Sequence, residues 1–515
     1  MATNMGFSIF PTQSLTGFVV VSLVLMIATY FICLIVYRVY FHPLAKYPGP
    51  FLAKITDFYS VYHAWKGDRH IDFYLCHEKY GAIVRYGPNR LAFNTSTALH
   101  TIHSPKANVE KTSFYAGLRQ PVGHNILSVV DKSDHTRKRR AMAHAFSEKA
   151  LKSYEEDMIR HIRLFCQKLR ESEGPVNVAN WCSYLTADVL GELCFGKSFG
   201  MLESEENRFV MKTMLDSARL AFITGCTLQL KAIPGIQKAF FSSMLSSRIR
   251  YRAFVMKQAA ARTSIPASQG RKDFYHYLME AKNPNTDEKW SLPELWAEAN
   301  NLIVAGSDTS ALTLSATFFY LTHNERTLER ATSEVREVFK ERDVEDVRPG
   351  AKLNGCKYLR ACIDEAMRLS PSVPGILPRV VMPGGMEIDG QFLKEGVEVG
   401  VGTYAIHHNA KYFPEPFEYR PERWLEEGPE LDIAQKAFTP FSLGPRGCIG
   451  KGMAYMEMMI VMARVLMLFD IKVVGTLGEG SPDLEAGRRR KGDFQVKDCF
   501  ISLKNGPMIE FKAVA

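Results

Sequence analysis

The sequence predicts a mainly α-helical protein with a small, segregated β-sheet, preceded by one N-terminal helix long enough to cross a membrane. Three observations carry this. The chain has an uncharged apolar run from Leu15 to Tyr37 near its start. Helical periodicity dominates the rest of the chain, and strand-like patterns are few and short. With 515 residues, 46% of them hydrophobic and 23% charged, the chain can bury a large core, which excludes long disorder. The net charge of +9 is spread along the chain. It gives no basic stripe for nucleic acid, and it suits an acidic protein partner or an anionic membrane surface.

Taken in order, the first element is the apolar run, dense in Val, Leu, Ile and Phe. As a helix it spans about 34 Å, enough for a hydrocarbon core of about 30 Å. A cleaved signal peptide is the competing reading, but the basic start, shorter apolar core and small-residue cleavage site are missing. No Lys or Arg precedes the run, while Arg38, Lys46 and Lys54 come after it, which places the bulk of the chain on the cytosolic side. Pro43, Pro48 and Pro50 then predict a stiff, non-helical connector. Residues 1–40 are thus expected to be an anchor and 41–515 one compact body, with no internal repeat or second span. Strands are expected near 81–87, 91–94, 386–390 and in the tail ending PMIEF. Ser291 and Glu294 form a capping box that opens a long helix, with Leu295, Trp296, Ala299, Leu302 and Ile303 at helical spacing. It continues without Pro to about His323, about 50 Å by rise per residue.

The chemistry begins with the cysteines. All ten are scattered, without a C-x-x-C pair, and neither zinc spacing nor a disulfide framework is present. Most read as buried, reduced thiols. Cys448 differs because of its neighbours in FSLGPRGCIG, Phe441 to Gly450. A thiolate ligand to a haem iron needs amide N–H groups turned toward sulfur and a backbone free to approach the porphyrin. Gly444, Gly447 and Gly450 allow the approach, Arg446 can pair with a propionate, and Phe441 can shield the sulfur. An apolar helix pattern begins just after Cys448, so the sulfur sits near a helix N-terminus. The segment matches every specified position of F-x-x-G-x-R-x-C-x-G and is identified as the cysteine loop of the cytochrome P-450 family.

That resemblance covers essentially everything after the anchor and implies further roles. Glu365 and Arg368 in CIDEAMRLSP match the family's E-x-x-R, and Pro421, Glu422, Arg423 and Trp424 supply its P-E-R segment. Together Glu365, Arg368 and Arg423 are expected to form a buried structural charge cluster. In AGSDTS, Ala305 and Gly306 are expected over the haem, with Asp308 and Thr309 as a proton-relay pair. A Thr hydroxyl competing for a backbone carbonyl can open the helix there. In DHTRKRRAMAHAFS, His135 and Arg139 are expected to meet the propionates, with Arg379 as a further contact. Where relatives often carry Trp, His135 has a charge that depends on pH. Arg137, Lys138 and Arg140 read as solvated or as part of a docking face. His407 and His408 read as ordinary polar packing, and Arg488 to Lys491 as a surface loop.

The family's reaction, as the resemblance implies it, is insertion of one atom of dioxygen into a hydrophobic small molecule at haem b held by Cys448. Electrons come from NADPH through a separate NADPH-cytochrome P-450 reductase, with cytochrome b5 as an optional second donor. The expected location is the endoplasmic reticulum membrane. The connector and the YAIHHNAKYFPEPFEYRPERW segment look like the filamentous-fungal microsomal branch. There terpenoids, polyketides or alkaloids are the expected substrates, and benzoate-type para-hydroxylation is the alternative. By correspondence the pocket is lined near Val304, Val373, Ile376 and Phe500, with a contribution around Phe114 to Asn125. That apolar set favours a hydrophobic ring system over a charged acid. Two further alternatives are a haem-thiolate isomerase or dehydratase without external electrons, and a non-catalytic haem ligand sensor.

Overall fold

The computed structural model describes residues 13–119, 123–227, 230, 235–265, 272–282, 287, 289–340 and 342–514. The apolar run forms the helix Gln13–Val36, continued by a wider turn over Tyr37–Phe41. The span Gly17–Phe41 has a mean hydropathy of 2.9 and none of it is buried by the rest of the chain. Residues 1–12 of the expected anchor lie outside the described residues. From His42 to Pro50 the chain is non-helical, as its prolines dictate. This connector is docked rather than loose. The Arg85 amide donates to the Pro48 carbonyl at 2.7 Å, and the buried Arg85 guanidinium donates to the Arg38 carbonyl at 2.7 Å.

Long helices make up most of the body. The central one, Leu292–Thr322, has the expected capping box at Ser291 and ends at His323. It packs on Val178–Phe195, Lys357–Leu369 and Lys451–Leu468, and most of its length is buried. It is the second helix long and apolar enough to span a membrane, but here its apolar surface faces protein. Six of its Ser and Thr hydroxyls bond back to the carbonyl four residues earlier, including Ser307 to Ile303 at 2.6 Å and Ser315 to Ala311 at 2.6 Å. Polar side chains are thereby buried without orphaned hydroxyls.

The largest sheet has five strands in the order Ile83–Gly87, Arg90–Phe93, Glu398–Val401, Arg379–Val381, Val109–Lys111. Only the Arg90–Phe93 and Glu398–Val401 pair is parallel. A three-stranded sheet joins Val176–Asn177, Met508–Ala513 and Phe469–Val473, and two hairpins complete the set. The four expected strands are present. Seven of the others, among them Arg379–Val381, Glu398–Val401 and Ile501–Leu503, are three to five residues long. Such lengths leave no readable period, and pairing selects them, with partners that range from the next strand, as for Ile501–Leu503, to hundreds of residues away, as for Val109–Lys111 with Arg379–Val381.

One sequence expectation fails on the surface, and a second, the surface loop at Arg488 to Lys491, is met except that Arg488 is half-buried. Lys138 is buried and pairs with Glu298 at 3.2 Å and Glu294 at 3.4 Å, while Arg137 bonds Asp134 and Glu294, so only Arg140 of the three is solvated. In the basic run, Arg488 donates to the Val496 and Gly67 carbonyls and pins two segments together.

Candidate active site

A cavity of about 340 Å³ lies beside the middle of the central helix. Val304, Ala305, Gly306 and Thr309 open onto it, while the residues around them in that helix are buried. Cys448, Phe441 and Arg446 line it from the glycine-rich loop, and Val373, Leu377 and Phe500 close it from other segments. Ile376 does not line it. Its side chain is buried with Phe73, Tyr86 and Ala92, because residues 376 and 377 lie in extended backbone, where neighbours face opposite sides. Part of the expected Phe114 to Asn125 contribution, residues 120–122, lies outside the described residues. Phe500 reaches the cavity from the tip of a tight hairpin, at φ +75° between the paired Cys499 and Ile501.

The loop that carries Cys448 closes on itself. The Cys448 amide donates to the Phe441 carbonyl at 2.8 Å, and the Gly447 amide to the Gly444 carbonyl at 3.0 Å. Gly444 sits at φ +67°, and a Cβ there would lie 1.9 Å from the His103 carbonyl oxygen, so no other residue fits. The Phe441 ring packs on Tyr455 at 5.1 Å. The helix Lys451–Leu468 starts three residues beyond the sulfur. Cys448 is open to the cavity but surrounded by protein. Burial pushes its thiol up, while the amides of Gly450 and Lys451 and the charges of Arg139 and Lys451 pull it down.

Around the loop is a group of cations, Arg379 and Lys111 buried and Arg446 and Arg139 half-buried, without a carboxylate partner among the described residues. Arg446 donates to the Val129 and Val130 carbonyls at 3.1 and 2.8 Å, and Arg139 to the Gly447 carbonyl at 2.6 Å. Arg379 bonds the Tyr115 hydroxyl at 2.9 Å, and Lys111 the Ile126 and Leu127 carbonyls at 3.1 and 2.6 Å. None of the four is in an ion pair among the described residues. Burial first, then Arg446 and Arg379, bring the Lys111 ammonium down to about 6. Burial and Arg379 bring Arg446 down to about 10, and burial with Arg446, Lys111, Arg139 and Arg379 brings His135 down to about 3. A concentration of like charge in a dry site is costly until an anion joins it. The set fits a cofactor bearing two carboxylates, and the close-approach loop with its cysteine fits a haem iron.

On the central helix the Thr309 hydroxyl donates to the Ala305 carbonyl at 2.6 Å. Asp308 is fully buried and faces away from the cavity, where Lys504 Nζ holds its Oδ1 at 2.6 Å and Oδ2 has no partner. The structure thus places Thr309 on the cavity wall and Asp308 behind it. Glu365, Arg368 and Arg423 come together as a closed cluster. Arg368 grips Glu365 through two bonds of 3.0 and 2.8 Å, and Arg423 adds one of 3.0 Å and Trp424 one of 2.9 Å. Remaining Arg368 donors meet the His407, Pro416 and Glu418 carbonyls, which fastens the helix Lys357–Leu369 to the segment 407–418. His407 Nε2 accepts from the Thr439 amide at 2.9 Å and His408 bonds the Tyr404 carbonyl, so both histidines are structural.

Sequence reasoning missed Lys111, Lys504, Glu457 and Arg248. Glu457 lines the cavity, pushed up to about 8 by burial with only the Ser310 hydroxyl opposing. A lone acid in the apolar GMAYMEMMIVMA pattern was a usable signal; Lys111, Lys504 and Arg248 had none, because their partners are distant in sequence or absent.

Known proteins agree with this geometry. The cytochrome P450 family matches residues 46–485. The cytochrome P450 monooxygenase apf7 of Gibberella fujikuroi is 38% identical, with 98% of this chain and 99% of that protein covered. AKT7 of Alternaria alternata, also a cytochrome P450 monooxygenase, is 37% identical over 95% and 96% of the two chains. The monooxygenase atnE of Emericella nidulans is 38% identical over 92% and 93%. The chain therefore belongs to the cytochrome P450 family, whose members are haem-iron oxidoreductases that incorporate oxygen with electrons from a redox partner.

Proposed function

We propose that this chain is a microsomal monooxygenase that places one oxygen atom on a hydrophobic small molecule of fungal secondary metabolism. The observation that carries the reading is one cavity that joins Cys448 to Thr309, with a carboxylate-seeking cluster of cations behind Arg446. Cys448 would hold the iron of haem b, and Arg446, Arg379, Arg139, His135 and Lys111 its two propionates. When bound, that group supplies a reducible iron at which dioxygen is activated.

The protein's own part is positional. Phe441, packed on Tyr455, and the closed loop would shield the sulfur on the side away from the cavity. Thr309 presents a hydroxyl to the cavity and keeps the Ala305 carbonyl occupied, so a proton can be handed inward without admitting bulk water. Asp308 holds the next charge outward, and Lys504, adjacent to the exposed Asn505, links it toward solvent. Ala305 and Gly306 leave a flat helix face for the cofactor plane, and Val304, Val373, Leu377 and Phe500 give the substrate an apolar seat.

Residues 1–40 act as a single-pass anchor and 41–515 as the catalytic body. Arg38, Lys46 and Lys54 support a cytosolic body at the endoplasmic reticulum, where an NADPH-cytochrome P-450 reductase, with cytochrome b5 as an optional donor, supplies electrons. The test is turnover of a converted substrate under ¹⁸O₂ with reductase present. One labelled oxygen per product and a strict need for NADPH support the reading. Product formed without oxygen or NADPH would replace it with rearrangement or dehydration.

A further inference from the structure

Resting on that reading, we propose that Arg248 binds the carboxylate of an amphipathic acid whose apolar body fills the rest of the cavity. Arg248 lies on the helix Ile236–Thr263, is partly buried, and lines the cavity together with Met214, Ser217, Ala218, Tyr251 and Asn301. Its guanidinium has no hydrogen bond or ion pair among the described residues. Two other arginines of the same helix are engaged, Arg262 with Asp273 at 2.7 Å and Arg250 over the Phe209 ring at 5.0 Å, while Arg252 has no ion pair among the described residues but does not line the cavity.

Arginine stays protonated in proteins, so Arg248 brings a fixed positive charge to walls that are mostly apolar. Among the described residues Glu457 is the only acid in the lining, and it faces Ser310. The one neighbouring charge that acts on Arg248 is Arg252, four residues on and of the same sign. Two like charges at that spacing repel, and burial adds to the cost. An anion from outside the chain resolves both. The charge is also distinct from the cofactor's cluster, because none of Arg446, Arg379, Arg139, Lys111 or His135 is among the groups acting on it.

The guanidinium fork matches a planar carboxylate with two parallel bonds. Ser217, Asn300, Asn301 and Tyr251, whose buried hydroxyl has no partner among the described residues, add neutral polar groups to the lining, too few to satisfy a polyphosphate but suited to one carboxylate with a polar neighbour. The apolar walls taken alone favour a neutral ring system; Arg248 shifts that preference to a hydrophobic monocarboxylic acid.

The test measures binding, by equilibrium dialysis of labelled probes against detergent-solubilised holoenzyme. The probes are dodecanoic acid and biphenyl-4-carboxylic acid, each paired with its methyl ester. Wild type is expected to bind at least one acid about tenfold or more tightly than its ester, as loss of a charged hydrogen-bonded contact implies. Arg248→Met and Arg248→Gln erase that preference and leave ester binding within about twofold, while Arg252→Met keeps it. Acids no tighter than esters in both pairs, or a preference that survives Arg248→Met, would overturn the proposal. The carbon monoxide band of the same reduced preparations reports the haem-thiolate reading separately. Normal bands with no acid preference defeat Arg248 alone, whereas an abnormal wild-type band defeats that reading and leaves the acid–ester ratio as the measure of Arg248.

Discussion

Two groups of buried and half-buried arginines are built in opposite ways. Around Glu365, two guanidiniums and an indole N–H converge on one carboxylate, and the leftover donors find backbone carbonyls. Around Arg446, the cations find only carbonyls and a tyrosine hydroxyl, and they depress one another. The first group is complete within the chain, so its role is to hold the fold. The second lacks a counter-charge within the described residues, which supports the proposal that it receives an anion. The presence or absence of the counter-charge, more than the depth of burial, distinguishes the two.

This contrast breaks most directly at Glu365. Glu365→Ala strips two buried guanidiniums of their partner and should destabilise the body by about 3–5 kcal/mol. Urea unfolding checks it, and a loss under about 1 kcal/mol would mean that the cluster is not the lock described. In the unpaired group the same kind of change should act in the other direction on the haem-free chain. Lys111 has a folded value of about 6 against an ordinary 10.5. Below about 6 both states are protonated and the cost is at its fullest. Between these values the unfolded chain holds the extra proton, so stability should rise with pH, by at most about 1.4 kcal/mol per unit. Lys111→Met should flatten that rise between pH 6.5 and 8.5 and weaken haem retention. An unchanged slope would remove Lys111 from the repelling group. The smallest structural effect is expected at Thr309, where no charge is involved. Thr309→Ala should alter stability by about 1 kcal/mol or less while diverting electrons to peroxide several-fold. Peroxide measured per NADPH consumed checks this, and unchanged coupling would remove its proton role.

Sequence legibility followed the range of the interaction. The central helix could be read because its capping box at Ser291 and its period are local. The Cys448 loop could be read because ten consecutive residues carry its geometry, with Gly444 forced by the His103 carbonyl. The short strands could not, since three residues such as Arg379–Val381 carry no period and are selected by pairing, here with Glu398–Val401 and with the distant Val109–Lys111. For the same reason Lys138 looked solvated in a basic run and proved to be buried against Glu298. The expectation at Ile376 missed by one residue, which in extended backbone is enough to turn a wall residue into core. The Asp308–Lys504 pair joins residues 196 positions apart and had no signature in either segment.

Thiolate ligation by Cys448 is tested most directly by the carbon monoxide difference spectrum of the dithionite-reduced protein in freshly prepared microsomes, for wild type and Cys448→Ala. The far red-shifted Soret band of thiolate ligation is expected in wild type and should be lost in the variant, together with turnover. A wild-type band at the position of neutral thiol or histidine ligation, or a variant that keeps the thiolate band, would contradict the assignment of Cys448 and the monooxygenase chemistry built on it.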